Sequence, residues 1–122
     1  MTMQISPAEL EIMKVLWRQP GLGASEIADA LEQSQDWNIR TIKTMLSRLV
    51  DKGALGTEQD GRRFLYRPLV DKAAYQRKAA GQFVDRLFGG KAAPLIAQLA
   101  DARGLSEDDI EELEALLGRL KQ

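Results

Sequence analysis

At Gly53 the spacing of apolar residues changes period, and this change narrows the folds open to the chain more than any other feature. Before it, in WNIRTIKTMLSRLVDKG, Ile42, Met45, Leu46, Leu49 and Val50 recur at the three-and-four spacing of one helical face. After it, ALGTE and RRFLYRPL read as two short strands, with Phe64 and Tyr66 alternating against Leu65 and Arg67. The Asp60-Gly61 pair between the strands predicts a tight hairpin turn with Arg62 and Arg63 at its tip.

Two shorter helices precede this segment. In SPAELEIMKVLW, Ser6 is the expected N-cap, Pro7 takes the first helical position and Glu9 completes a capping box. Leu10, Met13 and Trp17 share a face there, widened by Val15 and Leu16, and Pro20-Gly21 breaks the run. The second helix, through SEIADALEQ, carries Ile27, Ala28 and Leu31, with its cap on either Gly23 or Ser25. The third is predicted to start at Asn38 and to end at Gly53 in the left-handed conformation. Trp17 and Trp37 both flank apolar stripes and are expected to pack the core. Residues 5–69 therefore read helix, helix, helix, β-hairpin, the order of a winged helix-turn-helix.

The rest of the chain is helical. Asp71 can cap a helix through Tyr75, Phe83, Val84, Leu87 and Phe88, which Gly89-Gly90 ends. A second helix carries Leu95, Ile96 and Leu99 and closes at Gly104. A third begins at Ser106, with Asp109 in a variant capping box and a stripe of Ile110, Leu113, Leu116, Leu117 and Leu120. Acidic residues fill its first turn and Arg119 and Lys121 its last, complementing the helix dipole. Three short helices make a small core, and an exposed Leu/Ile stripe of this size is a liability in a monomer. Burial against a second copy is the expected solution, through Phe83, Leu87, Leu95, Ile96, Leu99, Ile110, Leu113, Leu117 and Leu120. The fold class is thus mainly α with a small β-hairpin wing. Residues 1–70 form the expected winged helix-turn-helix DNA-binding domain, and residues 71–122 the helical dimerisation domain.

A net charge of −1 over 122 residues gives no hint of nucleic acid until the chain is divided. Residues 36–67 hold seven basic and four acidic side chains, a net of +3, between flanks that are net negative. Along the third helix an advance of about 100° per residue puts Arg40, Thr44 and Ser47 opposite the apolar stripe. Lys43 and Arg48 fall on the two flanks, and Thr41 lies on a flank near the helix start. Arginine suits guanine edges and phosphates, and threonine and serine suit phosphates or a thymine methyl. Between Asp36 and Asp51 the segment has no acidic residue, which a generic solvated helix would mix in. Arg40, Lys43, Thr44 and Ser47 are therefore expected to contact bases. Thr41, Arg48, Arg62 and Arg63 are expected to serve mainly the phosphates.

Other classes are less well supported. The chain has no His and no Cys, which removes the commonest general base, the thiol nucleophile, thiolate metal ligands and any disulfide. There is no GxSxG motif, and Gly89-Gly90-Lys91 lacks phosphate-loop spacing. The carboxylates of EDDIEELE suit a helix start better than an acid/base pair. No catalysis, cofactor or metal is expected. MTMQISPAELEIM has no signal-peptide pattern, no apolar run approaches the ~20 residues of a membrane span, and a cytoplasmic location is expected. Two other functions fit the same fold: a protein-interaction module, or a ligand-sensing regulator with a pocket between its lobes.

ISPAELEIMKVLW, SEIADAL, WNIRTIKTMLSRLVDKGAL and YRPLV, with the closing FGG and LSEDDIEELEALL, closely resemble the penicillinase-repressor family of BlaI/MecI/CopY-type regulators. The similarity covers residues 5–120. It implies a dimeric transcriptional repressor with its winged helix on a palindromic double-stranded operator and its C-terminal helices forming the dimer. In the β-lactam branch, controlling antibiotic resistance, the resemblance implies a membrane sensor-protease pathway that cuts the repressor at an Asn-Phe pair. This chain has Gln98-Leu99 there, a departure from the pattern. In the copper branch it implies a C-terminal cysteine cluster, which this chain lacks.

Overall fold

The computed structural model describes residues 4–122. Residues 1–3, part of the stretch read above for a leader, lie outside the described residues. The element order is α1 (Pro7–Arg18), α2 (Ala24–Leu31), α3 (Ile39–Asp51), β1 (Leu55–Asp60), β2 (Arg63–Pro68), α4 (Lys72–Phe88), α5 (Ala92–Arg103) and α6 (Glu107–Leu120). The chain divides into two compact units, one ending at Tyr75 and one beginning at Gln76 within α4.

In the first unit local chemistry sets the helix starts. Ser6 Oγ accepts from the Glu9 N–H at 3.1 Å, and the Ser6 N–H donates to Glu9 Oε1 at 2.8 Å, closing the capping box of α1. Asn38 Oδ1 accepts from the Thr41 N–H at 2.9 Å at the head of α3. At α2 the cap is Gly23 and the helix begins at Ala24, which settles the two-way reading. Gly23 has no side chain to cap with, so its own N–H donates to Glu26 Oε1 at 3.1 Å.

These helices meet around Ile12, Met13, Val15, Leu16, Ile27, Leu31, Ile42, Met45, Leu46 and Leu49, with Leu22, Ala54 and Leu55 closing the core from the hairpin side. The buried apolar face of α1 is Ile12, Met13, Val15 and Leu16: of the expected residues Met13, Val15 and Leu16 are buried, and Ile12 joins them in place of Leu10 and Trp17. Leu10 and Trp17 are only half-buried at its margin. The face is broader and rotated because α2, α3 and β2 all pack on α1. Trp17 and Trp37 pack against the core as expected. Trp17 also donates its Nε1–H to the Val70 carbonyl at 3.0 Å and lies 5.8 Å from the Tyr75 ring.

The hairpin departs from the expected turn by one residue. β1 and β2 pair antiparallel from Leu55↔Pro68 to Asp60↔Arg63, leaving Gly61 and Arg62 as the two loop residues. Gly61 has φ +64 and Arg62 has no positive φ. A turn centred on Asp60-Gly61 is therefore replaced by one with glycine in the first central position, as a type II′ hairpin requires. A third extended segment, absent from the sequence reading, pairs with β2. Tyr66 N–H donates to the Leu22 carbonyl at 2.9 Å, and Gly21 N–H donates to the Tyr66 carbonyl at 2.9 Å.

The second unit begins inside α4 and continues through α5 and α6. Upstream, in the first unit, Asp71 Oδ2 accepts from the Ala74 N–H at 3.0 Å near the start of α4. Gly89 and Gly90, at φ +59 and +83, turn the chain out of α4. Ser106 and Asp109 close a capping box on α6. No residue of α4, α5 or α6 is buried. Among the described residues no helix is long and apolar enough to cross a membrane.

Candidate nucleic-acid interface

The apolar stripe of α3 fixes what its other side presents. With Ile42, Met45, Leu46 and Leu49 buried, the helical period turns Arg40, Thr41, Lys43, Thr44, Ser47 and Arg48 outward, and all six are exposed. Together with Ile39, all but Thr41 line one shallow concavity of about 550 Å³. Thr44 donates its hydroxyl to the Arg40 carbonyl at 3.0 Å, so it offers a methyl and oxygen lone pairs outward.

Ion pairing then sorts the cations of the basic segment into two groups. Among the described residues Arg40, Lys43, Arg48 and Arg62 make no ion pair, whereas Lys52, Arg63 and Arg67 do. Arg67 faces Glu58 across the hairpin at 3.5 Å. Arg63 is the first residue of β2 and not at the tip. Its Nη1 lies 2.7 Å from Glu26 Oε1 and its Nε 3.7 Å from Asp60 Oδ2. Arg62 alone of the two expected tip arginines occupies the turn, where Gln59 Nε2 braces the loop by donating to the Gly61 carbonyl at 3.2 Å. The free charge of the segment thus concentrates on α3 and the hairpin tip. α3 has no acidic residue in its first turn to oppose an approaching phosphate.

Lys52, at the C-cap of α3, pairs with Glu9 in the first turn of α1. Glu9 is 2% exposed, and its Oε2 has no hydrogen-bond partner. Burial, the largest influence, pushes its carboxyl up. The hydrogen bonds from Lys52 and from the Ser6 backbone and hydroxyl, with the Lys52 charge, outweigh it and hold the group below the ordinary value of 4.5. The pair anchors the end of the exposed helix to the start of α1. A carboxyl with a depressed folded-state pKa stabilises the fold above its unfolded value and loses that contribution as pH falls below it. Glu9→Gln is expected to cost about 1–3 kcal/mol near neutral pH, because glutamine keeps the capping box but leaves Lys52 unpaired at a partly exposed site. The gap to wild type should narrow as pH drops below 4.5. Urea unfolding of the full chain on both sides of that value checks it, and a pH-independent gap would show that the charge pair is not the source.

Glu26 was not singled out from the sequence. The signal was available in Gly23-Ala24-Ser25-Glu26, a capping box with glycine at the cap. Its reach to Arg63 had no local signal. Of the apolar residues expected at a dimer contact, Phe83, Leu87, Ile96, Leu99, Ile110, Leu117 and Leu120 are exposed, and Leu95 and Leu113 are half-buried within their own unit.

The chain is similar to known proteins. The family model described as Penicillinase repressor matches residues 5–119. A penicillinase repressor of Bacillus licheniformis is 36% identical over 114 residues, covering 93% of this chain and 89% of the relative. The methicillin resistance regulatory protein MecI of Staphylococcus aureus is 30% identical over 118 residues, covering 97% and 96%. Among solved structures, the solution structure of monomeric Bacillus licheniformis BlaI in complex with the blaP half-operator is 44% identical, with a TM-score of 0.51. That match covers 59% of this chain and 88% of the other.

Proposed function

The chain belongs to the penicillinase-repressor family, and from that premise we propose that it is a DNA-binding transcriptional repressor acting as a homodimer on a palindromic operator. The observation that carries this reading is the exposed face of α3, with Arg40, Lys43 and Arg48 unpaired among the described residues and no acid in its first turn. In this reading α3 enters the major groove, with Arg40, Lys43, Thr44 and Ser47 against base edges and Thr41, Arg48 and Arg62 on phosphates. Residues 71–122 supply the dimer contact. Support for it comes from α4–α6, which leave large apolar side chains exposed and bury none. The cytoplasm is where such an operator would be met, and the names of the relatives support control of a β-lactam resistance or related stress-response gene set.

Proteolytic release at Gln98-Leu99 is not favoured in this reading, because the pair departs from the Asn-Phe pattern. That bond lies inside α5, and a protease would first have to open the helix locally.

The test is an anisotropy titration against the promoter region of the protein's own gene neighbourhood, at two salt concentrations with excess random duplex. Binding that survives the competitor supports a specific repressor, and binding that the competitor abolishes favours an electrostatic DNA binder or an interaction module. In the same assay Arg40→Ala is expected to lose about 1–3 kcal/mol on the operator with relaxed sequence preference. Unchanged binding to operator and random duplex would remove Arg40 from base contact.

A further inference from the structure

Arg63 and Glu26 are 37 residues apart in sequence and meet at 2.7 Å. Glu26 Oε1 already accepts the Gly23 N–H at 3.1 Å, so the carboxylate is held in place by the start of α2. Asp60 Oδ2 stands 3.7 Å from the same guanidinium on the hairpin side. Arg63 is thus flanked by two carboxylates, while Arg62, next to it in the turn, makes no ion pair among the described residues. Both side chains are exposed, 55% and 42%, so the pair is a modest restraint that offsets part of what a phosphate contact of Arg63 would gain.

We infer that Glu26 is a specificity-determining residue, because it holds Arg63 back from the phosphate backbone and so limits sequence-independent affinity. This rests on the DNA-binding reading above. Phosphate contacts raise affinity for every duplex alike, whereas base contacts raise it for the operator. A wing arginine released onto phosphate would therefore strengthen binding to random DNA and operator equally and erode the share of binding that base contacts decide. Glu26 suppresses that contribution without removing the arginine. Arg63 is on this account a restrained cation and not a phosphate contact of the resting protein.

The test is a double-mutant cycle with Glu26→Gln, Arg63→Ala and the double variant, titrated on random duplex and operator at about 50 and about 200 mM salt. Glutamine retains the capping interaction with Gly23, so the fold of α2 is preserved. Glu26→Gln should tighten random-duplex binding and steepen the salt slope by about one phosphate contact. The gain should accordingly shrink roughly 3.5-fold between the two salts. Arg63→Ala should leave the slope of the wild type unchanged, and in its background Glu26→Gln should gain clearly less than it does with Arg63 present, only the relief of one unpaired carboxylate. A slope that flattens by one in Arg63→Ala would overturn the inference, because Arg63 would already be on phosphate. A gain from Glu26→Gln that is as large without Arg63 as with it would also overturn it, because Glu26 would then simply repel DNA.

A DNA-free measurement keeps this test separate from that of the proposed function. In the free protein, NMR of the Arg63 guanidinium should show hindered rotation that Glu26→Gln releases. Free rotation in the wild type would overturn the inference whether or not DNA binds. Hindered rotation in a protein that binds no duplex would uphold the Glu26–Arg63 restraint, count against the DNA-binding reading, and with it overturn the assigned role in specificity.

Discussion

On the proposed homodimer, Leu117→Glu is expected to yield monomers and to lower operator affinity by on the order of 100-fold or more. Leu117 is 52% exposed on α6, so glutamate there stays solvated in a single chain and keeps a good helix former in place. Buried against a second copy, the same carboxylate would have to lose its water without a partner. The effect therefore falls on association and not on folding. Affinity falls with it because one half-site no longer raises the local concentration of the second DNA-binding unit at the other, an advantage typically worth about 100-fold to 10,000-fold. Sedimentation velocity reads the oligomeric state, circular dichroism confirms retained helix, and anisotropy on full and half operators reads the consequence. A dimer that persists in Leu117→Glu would place the interface elsewhere.

Leu46→Ala is expected to destabilise the first unit by about 2–5 kcal/mol, a large share of the 5–15 kcal/mol by which domains are usually stable. Leu46 is fully buried, on the side of α3 that faces α1 and α2. Truncation removes its transfer free energy and leaves a cavity that the surrounding helices cannot fully close. Since the same helix carries Arg40, Lys43 and Thr44, loss of its seating should cost DNA binding in proportion to the unfolded fraction. Ser47→Ala, one residue on and exposed, should change stability by no more than ~0.5 kcal/mol. Chemical denaturation of the two variants compares a buried and an exposed change on adjacent positions. Similar losses would mean that α3 is not oriented as described.

Much of the architecture was legible because its signals are local. The capping boxes at Ser6 and Ser106, the Asn38 cap, and the glycines that end α4 and α5 act over three or four residues. The exposed face of α3 followed from its own apolar spacing. The structure departs from these expectations mainly where several elements converge. The buried face of α1 shifted because three partners cover it. The extended segment at Leu22 has no strand-like run and is defined by hydrogen bonds to Tyr66 in a distant part of the chain. The hairpin turn moved by one residue because glycine accepts the positive φ of the first loop position, leaving Arg62 in an ordinary conformation.

By itself the sequence determined the element order, the side of α3 that is free, the basic excess of residues 36–67 and the apolar stripes of the C-terminal helices. Each depends on periodicity or composition within a short window. Only the tertiary structure decided which cations of the basic segment are free and which are held by carboxylates. Lys52 meets Glu9 across 43 residues and Arg63 meets Glu26 across 37. Such pairs form because folding brings helix starts, helix ends and a strand edge within a few ångströms, and the short range of a hydrogen-bonded ion pair makes that final distance decisive.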